Sequence, residues 1–337
     1  FQLDGYIESQ IGGRSENQDS AGAMETLIGT VVVVCDGMGG MNGGKVASML
    51  AVKTIIDYVA KAKKNDDPQE VLNNAFLHAQ NELLLKASNN PELKGMGTTA
   101  TAIIISKDYA TVAHIGDSRI YQLRGAKKVF RTIDHSMVYK MVAAGALTEE
   151  QARLSANSNI ILKALGIEGD AMPDVKKLPY LRGDRFILCT DGFWSAYSED
   201  KFIKIISKKG ILSNVLWNAT KEINKQGIIS GGTHDNLTAA ILDVHCESKF
   251  KPPMSRRLKI TILCILISLI ISVCINIMLI KRVEQEHPRL NAASEYASAL
   301  IDSANTDGLV KSKAKFIEAF QTKRPSTEVK EGTISME

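Results

Sequence analysis

A chain of 337 residues can hold one large domain or two smaller ones, and motifs running from Arg14 to Leu242 favour one large domain followed by a C-terminal remainder. The net charge of +4, from 41 basic and 37 acidic residues, is too mild for a dedicated nucleic-acid reader, which concentrates basic residues on one face, so no nucleic-acid partner is expected. The five cysteines are odd in number and lack CxxC spacing; Cys35, Cys189, Cys264 and Cys274 fall in apolar runs and read as reduced thiols in a reducing compartment, and nothing beside Cys246 suggests activation.

From its start at Phe1 the chain shows neither a basic segment nor an apolar signal run, so no secretion signal is expected ahead of the globular part. RSENQD (Arg14 to Asp19) precedes the β-branched run VVVVC, which ends at Asp36 in DGMGG. Gly37, Gly39 and Gly40 allow a sharp turn there and bring a carbonyl towards a cation. In GGKVASMLAVKTIIDYVA, Ala47, Leu50, Ala51, Ile55 and Tyr58 form a helical stripe. A second helix begins at Pro68 and carries Leu72, Phe76, Ala79 and Leu83. TATAIIIS, YATVAHIG, RIYQLR and KKVF then read as successive strands, with turns at Lys107-Asp108 and Gly125. Because helices and strands come in blocks, the pattern is α+β and not a parallel doubly wound sheet. Between Ser136 and Asn159, TEEQ at Thr148 has the pattern of a helix capping box.

Ile260 to Ile280 carries no charged residue, the length and composition of a membrane-spanning helix. Lys249, Lys251, Arg256, Arg257 and Lys259 precede it, whereas Lys281 and Arg282 follow, with Arg289 further on; the positive-inside rule places the N-terminal part in the cytoplasm. The segment beyond then lies outside, with short helices expected in the Ala-rich stretch from Leu290 to Phe320 and a disordered polar tail, PSTEVKEGTISME.

Four aspartates stand beside short apolar runs: Asp36 after VVVVC, Asp117 after TVAHIG, Asp191 after RFILCT and Asp235 ahead of LTAAIL. Each carboxylate is thereby placed where a buried strand meets a loop. Carboxylates gathered at one sheet edge repel one another unless cations lie among them, and hard oxygen ligands favour magnesium or manganese. A single DG is usually only a turn, and a calcium module would cluster its ligands in one short loop. Four segments spread from Asp36 to Asp235 point instead to a metal enzyme.

In chain order the motifs RSENQD, VCDGMGG, MGTTATA (Met96 to Ala102), HIGDSRIY (His114 to Tyr121), DHS (Asp134 to Ser136), ILKALG (Ile161 to Gly166), DRFILCTDG (Asp184 to Gly192) and HDNLTAAIL (His234 to Leu242) resemble the metal-dependent serine/threonine protein phosphatases of type 2C in their bacterial form. The resemblance spans roughly the first three quarters of the chain. It implies an α+β four-layer sandwich: two packed, largely antiparallel sheets flanked by helices on both faces, here followed by one C-terminal transmembrane helix. It implies a bimetal site of Mn2+ or Mg2+ in which Asp36 bridges two ions, the Gly37 carbonyl ligates one, and Asp191 and Asp235 hold the other. Asp117 with Asp191 forms a third, weaker position. Arg14 matches the phosphate-binding arginine, and its planar fork suits two phosphoryl oxygens. Asp19 and Asn236 orient metal-bound water without touching the metal, and Thr98 and Thr99 either brace the site or simply pack.

Several positions depart from the family pattern. Met38 stands where many eukaryotic relatives have histidine, and Lys163 where arginine is common. His135 and His234 neighbour motif residues but read as structural. Ser136 to Asn159 matches a flap beside the site, which makes Met137, Tyr139 and Arg153 candidates for substrate choice against the alternative of an ordinary helix pair. Together these readings give a phosphatase domain over 1–246, a basic juxtamembrane linker over 247–259, a transmembrane helix over 260–280 and an extracytoplasmic segment over 281–337. The expected protein is a single-pass enzyme of the cell membrane with its catalytic domain in the cytoplasm, acting on phosphorylated proteins and opposing a serine/threonine kinase. The alternative is a catalytically weak scaffold that binds phosphoproteins.

Overall fold

The computed structural model describes residues 3–39, 43–155, 157–249, 256–301 and 306–321. Gly40, residues 250–255 of the juxtamembrane linker, and the polar tail beyond Gln321 lie outside the described residues. Two compact units divide the chain, Phe1–Pro252 and Pro253–Glu337.

Unit one begins with strands β1 (Leu3–Gln10), β2 (Asp19–Thr26) and β3 (Gly29–Met38), then helices α1 (Gly43–Ala60) and α2 (Pro68–Asn89). Strands β4 (Gly97–Thr98), β5 (Ala100–Ile105), β6 (Ala110–Ile115), β7 (Arg119–Arg124) and β8 (Lys127–Arg131) follow, and then the short helices α3 (Met137–Ala143) and α4 (Glu149–Arg153). The unit is completed by β9 (Asp174–Leu178), β10 (Asp184–Cys189), α5 (Asp191–Trp194), α6 (Glu199–Ile206), α7 (Leu212–Ile229) and β11 (Leu237–Val244). One sheet runs β1-β11-β10-β7-β8 and the other β2-β3-β5-β6-β9, with β4 beside β3. Every pairing among them is antiparallel.

Alternation along β3 explains why its apolar run is unbroken. Val31, Val33 and Cys35 enter a core with Leu72, Phe76 and Leu83 of α2 and Ala47, Ala51 and Ile55 of α1. Val32 and Val34 point the other way, into a second core with Ile103, Ile105, Phe186, Leu188 and Leu242, where the two sheets meet. A third core sets Tyr121, Leu123, Ile187 and Ile241 against Phe202 of α6 and Leu216 of α7. A central strand buried on both faces needs apolar side chains at every position, hence the Val-rich run.

The helix boundaries follow their caps. Asp67 accepts from the Gln69 amide to start α2, with Pro68 in the first turn, and Thr148 and Gln151 close the capping box of α4. Consecutive strands β6 and β7 do not pair: the chain crosses from one sheet to the other at Gly116-Asp117-Ser118. Sequence reading treats these strands simply as neighbours, and the crossover is what lifts Asp117 to the sheet edges. Packing also continues past Cys246, since Ser248 donates from its amide and its hydroxyl to the Tyr180 carbonyl, each at 3.0 Å.

Unit two contains α8 (Arg256–Ile301) and α9 (Thr306–Gln321). The apolar run does not stop as a separate helix at Ile280; α8 continues through Pro288 to Ile301, since the residues around the proline are helix formers and one proline costs a helix a single backbone bond and a local kink. Tyr296 stacks on Phe316 at 5.5 Å between ring centroids and Lys315 pairs with Glu295 at 3.2 Å, so the expected short helices are the end of α8 and a separate α9 packed on it. Over Leu258–Ser298, α8 is long and apolar enough to cross a membrane.

Candidate metal centre

Strand ends deliver the acidic residues to one edge of the sandwich. Asp36 lies near the end of β3 and pairs in register with Asp19, the first residue of β2. Asp191 opens α5 just beyond β10, Asp235 stands just ahead of β11, and Asp117 lies in the crossover between sheets. The spacing is enforced by backbone contact. A Cβ on Gly37 would come within 2.0 Å of the Gly44 carbonyl oxygen, and one on Gly192 within 2.2 Å of the Asn236 carbonyl oxygen.

The electrostatics report crowding. Burial, and then repulsion from Asp19, Asp191, Asp117 and Asp235, holds the Asp36 carboxyl well above the ordinary carboxylate range. Burial and then the Asp191 charge do the same to Asp117. Asp191 is pushed up to about 6 by burial and by Asp235, opposed in part by a hydrogen bond from Asp36. Asp19 is pushed up to about 7, mainly by burial, although Thr190 donates to its Oδ2 at 2.9 Å. In the absence of cations, burial and mutual repulsion therefore favour the neutral forms of these carboxyls. Among the described residues, Oδ1 of Asp117 and Oδ1 of Asp191 are buried without a hydrogen-bond partner, which is unusual for carboxylate oxygens and suits hard-cation ligands. The donor set, oxygen only and strongly anionic, fits magnesium or manganese.

Arg14 stands at the rim, with Nη2 donating to Asp235 Oδ2 at 2.8 Å and about half of its side chain exposed. Its loop is pinned by Asn236, whose Nδ2 donates to the carbonyls of Ile11 at 2.7 Å and Glu16 at 3.0 Å, while Oδ1 accepts from the Gln18 amide at 2.9 Å. The amide expected to orient water is thus engaged with the loop that carries Arg14. Thr99 accepts from the Asp36 amide at 3.0 Å and bonds Ser118 at 2.7 Å, while Thr98 donates to the Asp36 carbonyl at 2.8 Å, so both threonines brace the site.

Arg119 and Trp194 emerge only from the structure. Arg119 is buried, forks onto Asp134 at 2.8 and 2.7 Å, and lies 3.3 Å from the Trp194 ring centroid. Trp194 Nε1 in turn donates to the Asp117 carbonyl at 3.1 Å. Arg119 belongs to HIGDSRIY and Asp134 to DHS, and Trp194 lies two residues beyond DRFILCTDG, so their nearness to those motifs was the available signal. His135 and His234 are structural, as expected: His234 bonds Asn224, and His135 stacks on His114 at 4.5 Å. His114, His135 and Asp174 bring ligating atoms together, but stacked rings aim their lone pairs side by side and His135 Nδ1 already accepts from Gly116. Lys163 is ion-paired with Asp170. In the segment matching the flap, Arg153 donates to the Ser195 carbonyl at 2.9 Å and Tyr139 to Glu149 at 2.8 Å.

A family profile described as "Protein phosphatase 2C" matches residues 8–223. The chain is similar to "Serine/threonine phosphatase stp" of Listeria monocytogenes, with 32% identity over 68% of this chain and 91% of the relative. It is also similar to "Protein phosphatase PhpP" of Streptococcus pneumoniae, with 30% identity over 69% and 94%. Among solved structures, the serine/threonine phosphatase of S. agalactiae aligns with a TM-score of 0.65 and 28% identity, covering 72% of this chain and 100% of that one. The catalytic domain of the phosphatase PstP in complex with two manganese ions aligns with a TM-score of 0.60 and 28% identity, covering 72% and 97%.

These raised carboxyls make the metal-free protein sensitive to pH in a defined direction. A carboxyl with a raised folded-state pKa stabilises the fold below its ordinary value, and that stability is lost as pH climbs through about 6 for Asp191 and about 7 for Asp19. In chelator, the melting temperature of unit one should fall as pH rises from about 5 to about 7.5; with excess Mn2+, which replaces protons at the same oxygens, it should rise over that interval. A metal-free melting temperature that is flat or rising across the window would refute the assigned crowding.

Proposed function

The chain belongs to the protein phosphatase 2C family of bacterial, metal-dependent serine/threonine phosphatases, and we propose that it is a membrane-tethered member acting on cytoplasmic phosphoproteins in opposition to a serine/threonine kinase. The observation that carries this reading is the convergence of Asp19, Asp36, Asp117, Asp191 and Asp235 from both sheets at one edge of the sandwich, with Arg14 on its rim. On this reading the catalytic unit is a four-layer sandwich, with α1 and α2 on one outer face and α6 and α7 on the other.

Asp36, the Gly37 carbonyl, Asp191 and Asp235 would hold two Mn2+ or Mg2+ ions, with Asp117 and Asp191 at a third, weaker position. When bound, such ions neutralise phosphoryl oxygens and lower the pKa of coordinated water towards neutrality. The protein supplies position and charge around them. Arg14 grips two phosphoryl oxygens through its guanidinium fork, leaving its exposed pairing with Asp235, which is cheap to break. Asn236 keeps the Arg14 loop in place through its two bonds to backbone carbonyls. Asp19, held by Thr190, adds negative charge behind Asp36 and accepts from water at the site. Met38 has no proton to give the leaving alkoxide, so its proton would come from water or from another residue.

Tethering rests on α8. Its apolar stretch, with five basic residues ahead and two immediately behind, supports a cytoplasmic position for the enzyme, where phosphoproteins and reduced cysteines are found. On this reading residues 247–259 form the juxtamembrane linker, 260–280 cross the membrane, and 281–337 are extracytoplasmic.

Full-length protein should hydrolyse a phosphothreonine peptide only with Mn2+ or Mg2+, and Asp191→Asn should remove most of that activity while leaving the fold intact; activity undiminished in excess chelator would end the reading. Arg14→Ala should chiefly raise KM and leave Mn2+ affinity nearly unchanged, because ground-state phosphate binding is what it removes. The reverse pattern would make Arg14 a metal-site residue. For topology, alkaline phosphatase fused after Glu337 should be active, since it requires export, whereas a fusion that fluoresces only in the cytosol would reverse the orientation.

A further inference from the structure

The outer face of α7 carries a groove lined by none of the residues assigned to the metal centre. It encloses about 1030 Å³ between α7, the turn before it and Gln10. Apolar side chains are exposed along it: Ile211 is 69% exposed, Trp217 52% and Ile228 68%. An exposed tryptophan beside two exposed isoleucines forfeits burial energy, and such patches mark surfaces that a partner covers. Trp217 is the type of residue that anchors interfaces.

The charge around these residues says what kind of partner fits. Lys208, Lys209, Lys221 and Lys225 line the groove against a single acidic residue, Glu222, and among the described residues none of the four lysines is ion-paired. A concave surface with apolar floor and unpaired cations complements an acidic chain segment with aliphatic or aromatic side chains better than it complements a flat lipid surface. The chain's own linker, with Lys249, Lys251, Arg256, Arg257 and Lys259, has the wrong sign to occupy it.

One end of the groove reaches the catalytic edge. Asn224, in its wall, bonds Gln10 at 2.5 Å and His234 at 2.8 Å, and the His234 carbonyl accepts from Gly13 at 2.9 Å. His234 adjoins Asp235, and Gly13 adjoins Arg14. From Asn224 back to Ile211 the helix spans about 20 Å, the reach of roughly six to eight extended residues.

Resting on the phosphatase reading above, we propose that this groove docks an acidic, apolar-bearing segment of the phosphoprotein substrate, about ten residues long and adjoining the phosphorylated residue. Partner choice would then be made on α7, away from the metal site. Free of this contact, small phosphate esters are turned over by the metal centre alone.

The test uses full-length protein in detergent micelles with Mn2+ and three probes: a short phosphothreonine peptide, the same peptide with a ten-residue Glu/Leu arm on either terminus, and the same with a Lys/Leu arm. One placement of the acidic arm should lower KM roughly fivefold or more, as two or three part-exposed ion pairs predict, and the lysine arm should not. The advantage should disappear in Trp217→Ala, in the Lys221→Glu, Lys225→Glu double variant and at high salt, with turnover of the short peptide unchanged throughout. Equal KM for all three probes would overturn the proposal, as would variants that slow the short peptide as much. Activity that needs anionic lipid and these lysines without any effect of the arm would assign the surface to the bilayer and overturn it too. Binding of the unphosphorylated arm, followed by the tryptophan fluorescence change that is absent in Trp217→Ala, tests the groove even if no probe is hydrolysed, which separates its failure from failure of the phosphatase reading.

Discussion

Mutual repulsion among carboxylates is the constraint around which this protein is arranged. Asp36 has four acidic neighbours close enough to raise its pKa, on top of the cost of its own burial. Left to themselves, such groups drive protons onto the site or the strand ends apart. The fold keeps the ends together by other means: antiparallel pairing holds Asp19 opposite Asp36, Thr98 and Thr99 bond the Asp36 backbone, and contacts at Gly37 and Gly192 leave no room for a side chain. Destabilisation concentrated at one edge, and stability supplied by three apolar cores elsewhere, is the usual division of labour in a binding site.

Rigidity and mobility are distributed accordingly. The acidic residues stand at the ends of buried strands or on a helix that begins directly after one, so their positions inherit the precision of the sheets. Arg14 sits on a loop and half in solvent, free to exchange its partner Asp235 for a substrate anion. Between these extremes lies the Arg119, Asp134 and Trp194 cluster, which holds the backbone of Asp117 through one indole bond. A buried guanidinium stacked on an aromatic ring and forked onto a carboxylate sets a single geometry for that crossover.

Much of this was legible in the sequence because it depends on local signals. The Val31 to Cys35 run, the helical stripe from Ala47 to Tyr58, Asp67-Pro68 and the Thr148 capping box each announce an element through short-range periodicity or capping, and all four form as read. The four aspartates were visible because strand-end carboxylates are rare without a reason. Less legible were features set by long-range pairing. Nothing local to Gly116-Asp117-Ser118 says that the chain changes sheets there, Arg119 and Asp134 are separated by an entire hairpin, and Asn236 reaches residues near the N-terminus. The length of α8 was underestimated because only its apolar part carries a strong signal; the polar continuation past Arg282 is held by packing against α9.

The central claim, that this acidic edge exists to hold two cations, is tested most directly by counting them. Calorimetric titration of the metal-free full-length protein with Mn2+ should give two tight sites per chain, with a third much weaker, and Asp36→Asn should abolish tight binding at both, since on the proposed reading Asp36 would serve the pair. Tight binding that survives Asp36→Asn with unchanged stoichiometry would contradict the account.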